Sequence, residues 1–190
     1  MSVCDFDAND HSPGAAAELV LEELKADSPP TAVNAARELL LDYGHFVAAQ
    51  PRVASFCFGT LEQEAANLPF SYLNQSGGSL IARFHPSSTD HKEWVGFVAW
   101  RSLPSVELSD AWELKRLWIH PGSRAAGLGR ALVEAVIDRA RVAGKSRLFL
   151  DTSPDAMPAA CRLYQKMDFA ECPAYNGPPL DGIAYMCKRL

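Results

Sequence analysis

One segment of the chain, residues 112–152, constrains the fold most because it reads as strand, loop, helix and strand in succession. Residues 112–119 are predicted as a strand. Residues 128–143 then place apolar side chains on one helical face, and Gly144 is a natural helix stop. Residues 146–152 form the next predicted strand. Two strands joined by a helix form a parallel pair through a right-handed crossover. We therefore expect an α/β protein built on a mixed sheet.

The rest of the chain supplies further strands and helices around this unit. Residues 17–25 fit either a strand or a short helix, and residues 1–14 read as a polar tail. Apolar spacing predicts a helix over 31–49, a short helix over 60–68 with Thr60 as its N-cap, and another helix over 157–167. Strands are predicted over 79–85, 93–103, 169–172 and 183–188. We expect a single domain over residues 1–190, with its functional core in residues 93–190.

Composition excludes several classes of protein. The chain has 190 residues, 48% of them hydrophobic, and a formal net charge of −5, which disfavours a nonspecific nucleic-acid binder. No apolar run approaches the roughly 20 residues of a membrane span, and the N-terminus lacks the pattern of a secretory signal. The five cysteines are odd in number and no pair has CxxC spacing. We expect reduced thiols in a cytoplasmic protein, and neither disulfides nor a metal site.

The loop between the first strand and the helix, IHPGSRAAGLGRAL (residues 119–132), has the features of an anion site. Gly127 and Gly129 allow close approach to the backbone, the helix start leaves amides free, and Arg124 and Arg130 add positive charge. A tight turn with solvated arginines is the alternative. Because Gly129 is followed by Arg130-Ala131, the loop is not a Walker A motif, and Leu132 stands where a dinucleotide fingerprint has its third glycine.

The motif Arg124-Ala-Ala-Gly127-Leu-Gly129 resembles the acyl-CoA-binding loop of the GCN5-related N-acetyltransferase (GNAT) superfamily. AACRLYQKMDF (residues 159–169) is similar to the family's next helix and turn. The resemblance is strong over residues 93–190. Two positions depart from the pattern: Asp168 replaces a glycine that turns the chain, and Met157 replaces an asparagine that faces the cofactor.

The resemblance implies the GNAT fold, a central and mostly antiparallel sheet with one parallel, splayed strand pair flanked by helices. It also implies an acetyl-CoA-dependent N-acetyltransferase that transfers the acetyl group directly to a small-molecule or protein amine. Acetyl-CoA would be held by the backbone of the strand before the loop, the amides of the loop and two arginines. By resemblance these residues are Leu117, Trp118, Ile119, Arg124, Ala125, Ala126, Gly127, Leu128, Gly129 and Arg130.

Three side chains are candidates for the chemistry. Tyr164 occupies the family's Leu-Tyr position and would protonate the leaving thiolate; the alternative is a packed core tyrosine. Glu113 is the predicted base that deprotonates the amine, directly or through water, and Asp151 is its competitor. The amide of Ile119 would bind the oxyanion. An alternative function is a non-catalytic acyl-CoA-binding or regulatory module. The sequence identifies no amine acceptor, and it leaves a homodimer open.

Overall fold

The computed structural model describes residues 18–50, 61–85, 94–124 and 127–190. Within these ranges the chain forms seven strands, five α-helices and two short 3-10 helices. The strands are β1 (Glu18–Glu23), β2 (Gly78–His85), β3 (Gly96–Ser102), β4 (Ala111–Ile119), β5 (Arg147–Thr152), β6 (Ala170–Glu171) and β7 (Ala184–Arg189). The helices are α1 (Pro30–Ala48), α2 (residues 61–66), α3 (Phe70–Leu73), α4 (Leu128–Val142) and α5 (Pro158–Lys166).

All the described strands belong to one sheet with the order β1-β2-β3-β4-β5-β7-β6. Neighbouring strands are antiparallel except for β4 and β5, which are parallel and are connected through α4. The predicted mixed α/β sheet with a single parallel pair is therefore confirmed.

Apolar side chains cover both faces of the sheet. On one face, α4 buries Leu132, Val136 and Ala140 in a cluster with strand residues. On the other face, α1 buries Leu40 and Tyr43 in a second cluster that also contains residues of α2 and α3. The sheet is thus the middle layer between helices. Both clusters contain side chains of β4, so this strand is packed against other elements on both of its faces.

Local predictions can be compared with these elements. Residues 18–23 form a strand, which settles the choice left open for residues 17–25. Gly144 has a φ of 69° at the end of α4, and Asp168 has a φ of 62°, so it turns the chain in the left-handed conformation expected there. The polar tail of residues 1–14 and the proposed N-cap Thr60 lie outside the described residues.

Candidate active site

The parallel strands β4 and β5 diverge and open a cleft in the middle of the sheet. They pair only from Ala111–Glu113 against Arg147–Phe149. Beyond this point β5 keeps its antiparallel ladder with β7 as far as Thr152, and β4 continues along β3 to Ile119. The strands are therefore each bonded on one side and open toward each other, which leaves backbone groups of β4 facing the cleft.

A bulge in β4 lies beside this opening. The register between β3 and β4 shifts between Phe97 and Ala99, and Arg116 adopts a φ of 59°. This conformation is costly for a residue with a Cβ atom. Side-chain contacts hold it in place, because the Arg116 guanidinium donates to both carboxylate oxygens of Glu64 at 3.0 and 2.9 Å. The Tyr72 hydroxyl donates to the same carboxylate at 2.7 Å.

The ladder determines which amides of β4 face the cleft. The His120 amide donates to the Val95 carbonyl at 2.8 Å, and Trp118 pairs with Phe97, so these residues bond toward β3. Because backbone groups alternate in direction along a regular strand, the amide of Ile119 points the other way, into the cleft. Leu117 belongs to the bulge, at the edge of the same opening.

One part of the cleft is a cavity of about 660 Å³ between the end of β4, the start of α4 and the start of α5. Eight of the ten predicted cofactor residues line it, and the other two, Ala125 and Ala126, lie outside the described residues. The eight are Leu117, Trp118, Ile119, Arg124, Gly127, Leu128, Gly129 and Arg130. Met157 and Leu163 of the α5 segment form the opposite wall.

The two glycines of the loop have different roles in the structure. Gly127 is the residue before α4 and has a φ of 76°, whereas the space around its missing Cβ is open. Gly129 is in the helix, and a Cβ there would lie 3.2 Å from Leu163 of α5. The helix ladder begins where the Ala131 amide donates to the Gly127 carbonyl. The amides of residues 128–130 therefore have no acceptor within the helix, which is the arrangement that binds anions at helix N-termini.

The arginines at the loop are held by neighbouring groups. The Arg124 guanidinium stacks on the Trp118 ring at 4.9 Å, and its Nε donates to the Ile119 carbonyl at 3.2 Å. Arg130 pairs with Glu134 at 2.9 Å, one turn further along α4. Both side chains are exposed and line the cavity, so they give this part of it a positive charge.

The second part of the cleft is a cavity of about 300 Å³, and it adjoins the first at Leu117 and Met157, which line both. Tyr164 of α5 lines this second cavity and is 5% exposed. Its ring packs against Phe169, and no described residue hydrogen-bonds its hydroxyl. Burial raises the pKa of Tyr164 well above its ordinary value, so the hydroxyl is protonated at neutral pH.

The structure does not place Glu113 beside Tyr164. Its carboxylate is fully buried and accepts from Arg101 Nε at 2.7 Å, from the Tyr175 hydroxyl at 3.0 Å, and from Lys115 Nζ and Asn176 Nδ2 at 3.3 Å. Burial alone would raise the pKa of Glu113, but Lys115 and Arg101 outweigh it and hold the pKa below its ordinary value. The predicted role of Glu113 as a base stays a prediction; these contacts are those of an anchored, ionised carboxylate.

Asp151, the competing candidate, does line the second cavity. Its side chain is at the end of β5 and accepts from Asn176 Nδ2 at 2.9 Å. Asn176 therefore bridges Asp151 and Glu113, the side chains of the two diverging strands. Sequence reasoning missed Asn176, which lies in the Pro- and Gly-rich loop between β6 and β7. Tyr175 of this loop and Tyr185 of β7 pack edge to face, with their ring centroids 5.8 Å apart.

Comparisons with known proteins agree with this geometry. A solved acetyltransferase of the GNAT family from Staphylococcus aureus superposes with a TM-score of 0.67 at 18% identity, covering 90% of this chain and 99% of the other. A Salmonella typhimurium protein described with acetyl-CoA as its cofactor superposes with a TM-score of 0.65 at 15% identity, covering 90% and 93%. An uncharacterized N-acetyltransferase of Schizosaccharomyces pombe is 31% identical over 129 residues, 68% of this chain and 74% of the relative.

The fold defined by the sheet and its cleft is thus that of acyl-CoA-dependent acetyltransferases. Residues 45–169 match the acetyltransferase (GNAT) family, and the chain belongs to that family. It is an acetyltransferase, and acetyl-CoA is the donor that the family uses. Among the described helices, none combines the length and the hydrophobicity that crossing a membrane requires.

Proposed function

We propose that this chain transfers the acetyl group of acetyl-CoA directly to the amine of a small molecule, inside the cleft between β4 and β5. The observation that carries the proposal is that two cavities meet at Leu117 and Met157. The larger one, which we call the donor cavity, contains the free amides of a helix start and two arginines, which suit the diphosphate of coenzyme A. The smaller one, which we call the acceptor cavity, contains the carboxylate of Asp151 and the hydroxyl of Tyr164, which suit an amine and a leaving group.

Different residues of the donor cavity would bind different parts of acetyl-CoA. The amides of residues 128–130 and the side chains of Arg124 and Arg130 would hold the diphosphate. The Ile119 amide would bind the pantetheine arm, and the Leu117 amide, at the junction of the two cavities, would bind the acetyl oxygen. The Leu117 position differs from the sequence-based choice of Ile119 for the oxyanion, because Ile119 lines only the donor cavity.

The acceptor nitrogen must lose two protons, and the leaving thiolate must gain one. A free alkylamine has a pKa near 10.4, so the acceptor must lose a proton before its lone pair attacks the carbonyl carbon. We propose that Asp151, or water held by it, receives that proton, because this carboxylate lines the acceptor cavity and Glu113 does not. The tetrahedral intermediate then expels the thiolate of coenzyme A as the C–S bond breaks. Tyr164, protonated at neutral pH, donates a proton to this thiolate, and the second proton that the nitrogen loses as the amide forms passes through water to restore the tyrosine.

Thiol release from acetyl-CoA in the presence of a panel of amines tests the proposal. The expected result is amine-dependent release together with an acetylated product identified by mass. Asp151→Asn should lower kcat about 100-fold or more, the lower bound for general base catalysis. Asp138→Asn, a change at an exposed carboxylate of α4 outside both cavities, should not. Binding of acetyl-CoA without release for every amine would instead support the non-catalytic acyl-CoA-binding module.

A further inference from the structure

The charges around the acceptor cavity are unevenly balanced. Lys115 and Arg116 line it from β4, and Asp151 lines it from β5. Arg116 is matched, because its guanidinium makes a two-point ion pair with the carboxylate of Glu64. Lys115 is not matched in this way, since it shares the single carboxylate of Glu113 with Arg101.

Lys115 lines the cavity, and its described contact leaves N–H donors of the ammonium unused. An ammonium has three N–H donors, and the contact of Lys115 with Glu113 uses one of them at 3.3 Å. The Glu113 carboxylate is ionised and accepts from four groups, of which two are cations. Two positive charges and one negative charge therefore leave a net positive charge beside the cavity. The Lys115 side chain is 12% exposed, so little water screens it.

Asp151 supplies the opposite charge across the cleft. Its described contact is a hydrogen bond from the neutral amide of Asn176, so its negative charge is not cancelled by a cation of the described residues. One unbalanced cation on β4 and one unbalanced anion on β5 thus face the same space. A ligand with a single positive charge would satisfy only one of them.

From this arrangement, and resting on the acetyltransferase function proposed above, we propose that the acceptor is a small zwitterion, an amine that also carries a carboxylate. Lys115 contacts the carboxylate, and Asp151 receives the amine. The size of the site supports a small acceptor: the cavity of about 300 Å³ is at the lower end of ligand cavities. Gly177, Pro178 and Ile183 of the loop before β7 also line it.

Matched acceptors test the charge requirement without any mutation. Leucine, leucinamide and 3-methylbutylamine share a side chain and an amine, but only leucine carries the carboxylate. β-Alanine and γ-aminobutyrate, with their amides, vary the distance between the charges. We expect kcat/KM for the best amino acid to exceed that of its amide by about tenfold or more, as for one charge-assisted hydrogen bond. Amides and simple amines that react as fast as the acids, or a preference for a peptide amine, would overturn the proposal.

Variants of the two cations that share Glu113 separate recognition from folding. Lys115→Gln and Arg101→Gln each remove one cation from Glu113, but only Lys115 lines the cavity. Lys115→Gln should abolish the preference for the acid over its amide, whereas Arg101→Gln and Lys115→Arg should retain it. Equal loss of the preference in both glutamine variants would show that Lys115 acts only through Glu113 and would contradict the proposal.

The outcomes also distinguish the zwitterion from the acetyltransferase function itself. If simple amines and amides release thiol as well as the amino acids do, the acetyltransferase function stands and the zwitterion proposal fails. If acetyl-CoA binds and no amine of any charge releases thiol, the acetyltransferase function fails, and the acceptor proposal fails with it.

Discussion

Gly127 should be required for its backbone conformation, and Gly144 at the other end of α4 provides a matched control. Both glycines are left-handed, with φ of 76° and 69°, and a Cβ would meet no atom within 4 Å at either. A residue with a Cβ pays roughly 1–2 kcal/mol in this conformation. Since 1 kcal/mol shifts the melting temperature of a domain of this size by about 2–4 °C, each alanine variant should melt about 2–8 °C lower than the wild type.

The two variants should differ when acetyl-CoA is present. Ligand at about 100 times its Kd stabilises a protein by about 2.7 kcal/mol, which corresponds to a rise of about 5–11 °C here. Gly144→Ala should show the full rise, because residue 144 is at the far end of the helix. Gly127→Ala should show a smaller rise and a higher KM for acetyl-CoA, because relief of the strain moves the amides of residues 128–130. Thermal melts with and without acetyl-CoA measure both effects, and an equal rise in the two variants would refute this reasoning.

Three further predictions concern side chains. Tyr164→Phe should lower kcat at least tenfold and leave the Kd for acetyl-CoA nearly unchanged; unchanged turnover would remove Tyr164 from the mechanism. Glu113 has a lowered pKa, so it stabilises the fold above the usual glutamate pKa of about 4.3, and this stability is lost as the pH falls through its folded-state pKa. Glu113→Gln should therefore lower stability at neutral pH and flatten its acid dependence in urea titrations; an unchanged slope between about pH 5 and 3 would contradict this. Glu64→Gln should cost about 3–5 kcal/mol of unfolding free energy and also reduce kcat, because Arg116 at the bulge would lose its ion pair; wild-type stability and turnover would show that the pair is not needed.

Much of the fold was predictable because its signals are local. The apolar spacing of α4, the stop at Gly144 and the strands on either side determine the parallel pair. The glycine-containing loop was also predictable as the start of a helix with free amides. The structure adds a distinction that the sequence motif alone does not show. Gly127 is needed for its left-handed backbone conformation, and Gly129 is needed for the close packing of α4 against α5.

The acceptor side could not be predicted in the same way, because its contacts join residues far apart in the chain. Glu113 was recognised as a chemically interesting carboxylate, yet its partners Arg101, Tyr175 and Asn176 come from β3 and from a loop about 60 residues later. The bulge could not be predicted either, because its left-handed residue is Arg116 and not a glycine. One signal was available: a glutamate between apolar strand residues needs a cation, and Lys115 is two positions away on the same face of β4.

Amide spectra of the isotope-labelled protein during titration with acetyl-CoA test the location of the donor most directly. Binding in the cleft between β4 and β5 should shift the amides of Leu117, Ile119 and residues 128–130. A separate cavity of about 530 Å³, lined by Glu38 and Asp42 of α1 and by Arg83 of β2, should not respond. Shifts confined to the residues around this 530 Å³ cavity, with the amides of β4 and of the start of α4 unchanged, would contradict the proposed site.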